Sequence, residues 1–221
     1  MQALLEKYKG VIDTTLPENT EFLRARVGYK DKTLPFSISF ETEYNYVPFS
    51  DSDISAPPPG LTNAGRINRQ GVSFFYAATD SNTAIAEVRP HPGDIISVGR
   101  FKARKSLLIA DFTETRIEHF SGSDQLLDDL FLTIHSINVY LNKVVPPSER
   151  DHYSVTQLIA ETLRRLGYDG VLFLSTVDKG HNVVVFQPEL VEYKPGEGKV
   201  FEIQNLKYDI VERVVAGEQN E

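Results

Sequence analysis

Residues 65–88, GRINRQGVSFFYAATDSNTAIAEV, combine a turn, a strand and a helix in one short segment. Gly65 and Gly71 favour a turn, because glycine adopts backbone angles that other residues resist. Residues 72–78 then have the length and the aromatic content of a strand. Alternating residues leave both of its faces mostly apolar. We therefore predict a central strand that is covered on both sides.

A short helix is predicted to follow this strand. Asp80 or Ser81 can cap its N-terminus, and the residue before Pro90 disfavours helical geometry, so the helix cannot run far past Val88. Glu87 falls at the margin of the apolar stripe, in the last turn, where a carboxylate opposes the helix macrodipole. A catalytic role would explain why a glutamate occupies this position, and so would an ordinary exposed surface position.

The same segment carries residue types suited to a charged substrate. The guanidinium of Arg66 attracts an anion, and the carboxylate of Glu87 stabilises a developing positive charge. Upstream, the alternation of residues 22–27, FLRARV, predicts a strand with Arg24 and Arg26 on the face of Phe22. The simpler interpretation of that strand is a solvated basic edge.

The remainder of the chain predicts one α+β domain with an N-terminal lead-in and a C-terminal tail. Residues 1–21 form a short helix and a loop, 22–211 the domain, and 212–221 a polar tail. Residues 30–64 form a long loop or lid, which we interpret as a wall of a pocket. The other predicted elements are strands 95–101, 106–112, 171–175, 182–186 and 200–211, and helices 124–141 and 154–166.

The helix predicted at 154–166 has an apolar stripe at helical spacing, formed by Val155, Leu158, Ile159, Thr162, Leu163 and Leu166. Ser154 and Gln157 match the capping-box pattern at its start. Helix capping alone therefore explains why a serine and a glutamine occupy these two positions.

Composition excludes several classes of function. The 221 residues contain no cysteine, which rules out thiol catalysis and thiolate metal sites. His135 has no second histidine at metal-binding distance, so no metal is predicted. No signal peptide or membrane span is recognisable, which favours a cytoplasmic protein. The net charge of −8 argues against direct nucleic-acid binding.

Several short motifs, in order, resemble the RES domain family, which is named for its arginine, glutamate and serine. They are Arg66-Ile67-Asn68, Tyr76-Ala77-Ala78, Thr83-Ala84-Ile85-Ala86-Glu87-Val88, Tyr153-Ser154-Val155-Thr156-Gln157, Gly167-Tyr168-Asp169-Gly170-Val171, Ser175 and Asn182-Val183-Val184-Val185-Phe186. The resemblance covers roughly residues 22–208.

The resemblance implies an ADP-ribosyltransferase-like fold, a split mixed sheet with helices around a cleft for NAD⁺. It implies an enzyme that cleaves the nicotinamide–ribose bond and acts as the toxin of a bacterial toxin–antitoxin pair. The partner would be an antitoxin with a helix-turn-helix domain. NAD⁺ would be the substrate and no cofactor is implied, while the oligomeric state is left open.

The family's functional residues can be carried onto this chain one by one. The resemblance implies catalytic roles for Arg66, Tyr76 and Glu87. The implied substrate-binding residues are Arg24, Arg26, Asn68, Ser154, Gln157 and Ser175. Ser154 and Ser175 both match the family's serine, and the sequence does not choose between them.

Three functions remain open at this stage. The first is an NAD⁺ hydrolase, or a phosphorolase if phosphate replaces water. The second is an ADP-ribosyltransferase with a protein or nucleic-acid acceptor. The third is a binding or regulatory protein that keeps the fold without catalysis.

Overall fold

A computed structural model of the chain describes residues 1–7, 9–34, 44–113, 135–137, 139–143, 153–207 and 209–212. The helices are α1 (Gln2–Lys7), α2 (Ser81–Glu87) and α3 (Tyr153–Arg165), and residues 135–137 and 139–142 are also helical. The strands are β1 (Asp13–Leu16), β2 (Glu21–Val27), β3 (Asp31–Thr33), β4 (Asn45–Val47), β5 (Phe75–Ala78), β6 (Ile95–Ala103), β7 (Leu107–Asp111), β8 (Gly170–Leu174), β9 (His181–Val185), β10 (Val191–Tyr193) and β11 (Lys199–Glu202).

One nine-stranded mixed sheet forms the centre of an α+β domain, as the sequence predicts. Its order is β1-β7-β8-β9-β5-β2-β6-β10, and β11 pairs with β6 beyond the end of β10. The β7–β8 pair is parallel, and the other named pairs of this sheet are antiparallel. A separate small sheet pairs β3 with β4.

The sheet is narrowly joined between β5 and β2. These two strands share a single residue pair, Leu23 with Ala78, whereas β2 and β6 pair continuously from Glu21 to Val27. Beyond that one pair the two strands diverge. A cleft can therefore open between them without breaking the rest of the sheet.

The two faces of the sheet bury different clusters. Beneath α1 and α3, one face packs Leu5 and Ile159 against Phe74, Phe173 and other apolar side chains. On the opposite face, Phe75 and Phe101 pack against Ile54. A third cluster beneath α2 joins β2, β5 and β6. Because apolar layers cover both faces of β5, the prediction of a central strand is confirmed.

The helix after β5 is also confirmed. Asp80 is its N-cap, and the carboxylate of Asp80 accepts a hydrogen bond from the backbone N–H of Thr83 at 2.9 Å. The helix ends at Glu87, Val88 is its C-cap, and Arg89 takes a left-handed backbone conformation ahead of Pro90. Local capping and the proline effect therefore fix both ends of α2.

Several strand predictions are wrong at their boundaries. The strand predicted at 72–78 begins only at Phe75, because a turn closed by Val72 N–H and Arg69 C=O holds the residues before it. The strand predicted at 200–211 ends at Glu202, which pairs with Ile95, the first residue of β6. Residues 13–16, predicted as loop, form the edge strand β1 against β7.

Helix α3 is confirmed, but its predicted stripe and cap are partly wrong. Leu158 is exposed, while Thr156 is buried in its place on the face that meets the sheet. Ser154 is the second residue of the helix, so it is not the N-cap. The side chain of Gln157 bonds to residues outside the helix, which removes the other half of the capping box.

The loop at 30–64 has more structure than the sequence suggests. It contains β3, β4 and two short 3₁₀ turns, Asp51–Asp53 and Pro59–Leu61. Residues 35–43, most of the helix predicted at 124–141, Pro146, Pro147 and residues 213–221 of the tail lie outside the described residues. Among the described residues, no helix combines the length and the apolar character needed to cross a bilayer.

Candidate active site

A cavity of about 460 Å³ lies where β2 and β5 diverge. Strands β2, β5, β8 and β9 contribute to its walls, together with the end of α2 and the start of α3. Its lining residues are Leu23, Arg24, Ala25, Arg66, Tyr76, Ala77, Ala78, Ala84, Glu87, Val88, Arg89, Tyr153, Phe173, Thr176 and Asn182. Mixed apolar and charged walls of this size suit a small organic ligand that carries charge.

Glu87 is held at the cavity by two side-chain donors. Its Oε1 accepts a hydrogen bond from Ser175 Oγ at 2.7 Å and another from Asn182 Nδ2 at 2.6 Å. Its Oε2 accepts none from the described residues. One oxygen therefore fixes the carboxylate, and the second is left for a ligand.

The loop after β8 places Ser175. The Ser175 Oγ accepts hydrogen bonds from the backbone N–H groups of Val177 and Asp178, each at 3.2 Å, and it donates to Glu87. Asp178 in turn lies 2.9 Å from the hydroxyl of Thr83 on α2. A Cβ on Gly180 would lie 2.1 Å from Thr83 Oγ1, so the loop packs against α2 only because that position is glycine.

Tyr76 and Asn68 form a buried polar pair at the cavity wall. The Tyr76 hydroxyl donates to Asn68 Oδ1 at 2.6 Å and accepts from the backbone N–H of Ile67 at 3.2 Å. Burial raises the pKa of Tyr76, since it disfavours the phenolate. Tyr76 is therefore a neutral donor at physiological pH.

Asn68 organises the turn that carries Arg66. Its Nδ2 lies within hydrogen-bond distance of the backbone oxygens of Asn63, Arg69 and Val72, at 2.9–3.1 Å. Only 3% of Asn68 is exposed, and it does not line the cavity. The sequence implied a substrate contact for Asn68, but its side chain is instead enclosed within the turn.

Helix α3 anchors the same turn from outside. Gln157 Nε2 donates to the backbone oxygens of Gly65 and Asn68, at 2.9 and 3.1 Å, and Thr156 Oγ1 donates to that of Arg66. Gln157 does not line the cavity either. It positions the Arg66 turn rather than reaching the space a ligand would occupy.

Two of the three arginines of the predicted site, Arg24 and Arg66, line the cavity and bond to the main chain. Arg24 donates from Nε to Ile54 O at 2.8 Å and from Nη1 to Tyr76 O at 2.7 Å, and so bridges β2 to β5 at the point of divergence. Burial, with Arg26 nearby, lowers the pKa of Arg24 to about 10, so it remains charged at neutral pH. Arg66 donates to the backbone oxygen of Leu141 and lies over the ring of Tyr153.

Two other predicted substrate-binding residues lie away from the cavity. Arg26 packs on the ring of Phe49 and donates to the backbone oxygen of Asp53. The basic-edge interpretation of its strand is wrong, because β2 lies inside the sheet between β5 and β6. Ser154 is exposed on α3 and does not line the cavity, whereas Ser175 contacts Glu87.

The pocket-wall interpretation of residues 30–64 is wrong for their described part. None of residues 30–34 or 44–64 lines the cavity. Ile54 and Phe49 instead pack against the other face of the sheet, where they support Arg24 and Arg26. The loop therefore supports the cavity floor from behind.

Sequence reasoning missed four polar residues that line the cavity, Arg89, Tyr153, Thr176 and Asn182. Asn182 is buried at the head of β9 and donates to Glu87. An asparagine that opens an otherwise apolar strand is a usable signal, because a buried amide needs a partner. Arg89 also lines the cavity, but the sequence shows it only as the residue before Pro90.

Comparisons with known proteins give one family and a distant structural neighbour. The model of the RES domain matches residues 35–204, well over half of the chain. No curated protein matches the sequence. Among solved structures, the chain is similar to one in the crystal structure of the M. tuberculosis MbcT–MbcA toxin–antitoxin complex, with a TM-score of 0.46 and 11% identity over 92% of this chain and 93% of that one.

Proposed function

Because the chain belongs to the RES domain family, we propose that it cleaves the nicotinamide–ribose bond of NAD⁺ in the cavity beside Glu87. The observation that carries this proposal is the carboxylate of Glu87, held through Oε1 by Ser175 and Asn182 with Oε2 open. Such a group is already oriented before a ligand binds, so it stabilises positive charge without reorganising.

The chemistry requires charge stabilisation more than proton transfer. As the glycosidic bond breaks, its electrons leave with nicotinamide, which departs as a neutral molecule and needs no general acid. The ribose gains oxocarbenium-like positive charge. The Glu87 carboxylate interacts with that charge more strongly in the transition state than with the bound substrate. Water then adds at the anomeric carbon and releases a proton, which gives ADP-ribose.

The other cavity residues would bind and orient the substrate. Arg24 and Arg66 supply positive charge toward the pyrophosphate, and the ring of Tyr76 forms a wall against which nicotinamide or ribose can pack. Ser175 acts through Glu87 as a positioning residue.

Incubation of the purified chain with NAD⁺ tests the reaction and separates the alternatives. Hydrolysis gives free ADP-ribose, and phosphorolysis in phosphate buffer gives ADP-ribose 1-phosphate. ADP-ribosyl transfer labels an added protein or nucleic acid, and the exposed position of Glu87 leaves room for such an acceptor. Absence of any turnover would reject the enzymatic proposal in favour of a binding role.

We also propose that the chain acts in the cytoplasm as the toxin of a toxin–antitoxin pair, with a helix-turn-helix antitoxin as partner. Family membership is the support for this role. Expression of the wild-type chain in bacteria should lower cellular NAD⁺ and arrest growth, and expression of Glu87→Gln should do neither. Growth arrest with unchanged NAD⁺ would contradict the proposed route of toxicity.

Arg66→Ala should raise KM for NAD⁺ by about tenfold to a hundredfold, because it removes a charge-assisted contact with an anionic substrate. Arg66→Lys should recover only part of this loss, since a lysine lacks the planar fork. Steady-state kinetics measure both effects. Arg69→Ala is the matched control on the same turn, because Arg69 pairs with Glu161 at the surface. An unchanged KM for Arg66→Ala would remove Arg66 from substrate binding.

Ser175→Ala should lower kcat by about tenfold with little change in KM, because Glu87 loses one of the two donors that orient it. Ser154→Ala should leave kcat unchanged, since Ser154 is exposed on α3 away from the cavity. The comparison decides which serine matters. A loss confined to Ser154→Ala would reverse the assignment.

A further inference from the structure

Arg89 has an unusual backbone for its position. It follows α2 directly, two residues after Glu87, and its φ of +50° lies in the left-handed region that non-glycine residues rarely adopt. Its backbone N–H donates to Ala86 O at 3.0 Å, and the next residue, Pro90, is buried. Anchors on both sides therefore hold the residue in a conformation that costs free energy, and such positions are frequent at ligand sites.

The side chain of Arg89 differs from those of the other two arginines at the cavity. Arg24 and Arg66 donate to main-chain oxygens, so part of their hydrogen-bonding capacity is used within the protein. Arg89 also lines the cavity, but its guanidinium makes no hydrogen bond or ion pair with the described residues. It is exposed, so it lies at the rim, and none of its donors bonds to a residue that the structure describes.

Glu87 does not neutralise this charge. Although the two residues are close in sequence, Glu87 Oε1 is bonded to Ser175 and Asn182, and no ion pair joins it to Arg89. Within the described part of the chain, the rim therefore carries a cation without an ion-pair partner beside a fixed carboxylate. A free guanidinium fork binds phosphate oxygens in bidentate geometry, which suits a diphosphate better than a single carboxylate.

We propose that Arg89 binds the diphosphate of an ADP-ribosyl compound at the rim of the cavity. This inference rests on the proposed function, because it takes NAD⁺ as the substrate. The cation would hold the diphosphate at the rim, so that the nicotinamide–ribose end enters toward Glu87. Arg24, enclosed between β2 and β5, would add its positive charge to this site, while its hydrogen bonds to Ile54 O and Tyr76 O join the two strands.

Calorimetric titration of the full chain with ADP-ribose tests the inference without requiring turnover. Arg89→Gln should weaken binding by about tenfold to a hundredfold, and Arg89→Lys should recover part of the loss. Arg89→Gly suits the positive φ and should weaken binding to a similar extent, which excludes backbone strain as the cause. Arg165→Ala, an exposed arginine on α3 outside this cavity, is the matched control and should bind normally.

The outcomes separate this inference from the proposed reaction. If Arg89→Gln and Arg89→Gly bind ADP-ribose as the wild-type chain does, or if the wild-type chain does not bind it, the inference is overturned even where NAD⁺ is cleaved. If the Arg89 variants lose binding while the wild-type chain fails to cleave NAD⁺, the diphosphate site stands and the proposed reaction fails.

Discussion

Glu87→Gln should lower the turnover of NAD⁺ by about a hundredfold to a thousandfold, the usual effect of losing one preorganised electrostatic group. The substitution keeps the size of the side chain and an oxygen that accepts from Ser175 and Asn182. It removes only the charge that the ribosyl cation needs. The loss should therefore appear in kcat, while the affinity for NAD⁺ changes little.

Binding, turnover and stability of Glu87→Gln must be measured on the same folded sample. The free energy of unfolding should stay within about 0.5 kcal/mol of the wild-type value, because Glu87 is exposed and its contacts persist. Glu189→Gln, an exposed glutamate outside the cavity, is the matched control. Near-normal turnover would remove Glu87 from catalysis, and loss of folding together with binding would make it structural.

Asn68→Ala should lower the free energy of unfolding by about 3 kcal/mol, a large effect for a single substitution. The change leaves the hydroxyl of Tyr76 and several backbone oxygens of the turn without their partner in a buried place. Because the same turn carries Arg66, KM for NAD⁺ should rise as well. Urea unfolding and steady-state kinetics measure the two effects.

A matched substitution tests whether burial is the cause. Asn82 is an exposed asparagine on α2, so Asn82→Ala should change the free energy of unfolding by no more than about 0.5 kcal/mol. If Asn68→Ala costs less than about 1 kcal/mol, the hydrogen bonds inside the turn are replaced by water, and Asn68 is not its organiser.

Local sequence signals predict the elements around the cavity well. The cap at Asp80 and the stop before Pro90 act within a few residues, so the bounds of α2 follow from the sequence. The alternation in residues 22–27 places Arg24 and Arg26 on the face of Phe22. The structure confirms this, because Arg24 lies over the ring of Phe75 and Arg26 over the ring of Phe49. Periodicity is sufficient there because successive side chains of a strand point to opposite faces of the sheet.

Tertiary partners decide the features that the sequence misassigns. The spacing of Ser154 and Gln157 satisfies a capping box, but Gln157 bonds instead to the backbone oxygens of Gly65 and Asn68 in the turn that carries Arg66. The strand predicted at 200–211 is too long for a similar reason. Glu202 pairs with Ile95, the first residue of β6, so residues 203–207 have no further strand to pair with. A pattern within one segment does not reveal which neighbour is available to it.

The choice between the two serines is of the same kind. Ser154 and Ser175 stand in equally suitable local contexts, and only the sheet brings one of them to Glu87. Leu174 pairs with His181 in β8 and β9, and that register sets Ser175 and Asn182 side by side at the carboxylate. The contact spans 88 residues along the chain, which no local signal can report.

The single residue pair between β2 and β5 also affects how the molecule should fluctuate. Few backbone hydrogen bonds join β2 to β5, so separating these two strands costs less free energy than separating β2 from β6. The amide protons of β2 and β5 that face each other should therefore exchange with solvent earliest within the sheet. Leu23 and Ala25 of β2 line one side of the cavity, and Tyr76 and Ala78 of β5 line the other side. A ligand bound in the cavity contacts β2 and β5 at the same time. Ligand binding should therefore slow amide exchange in both strands together.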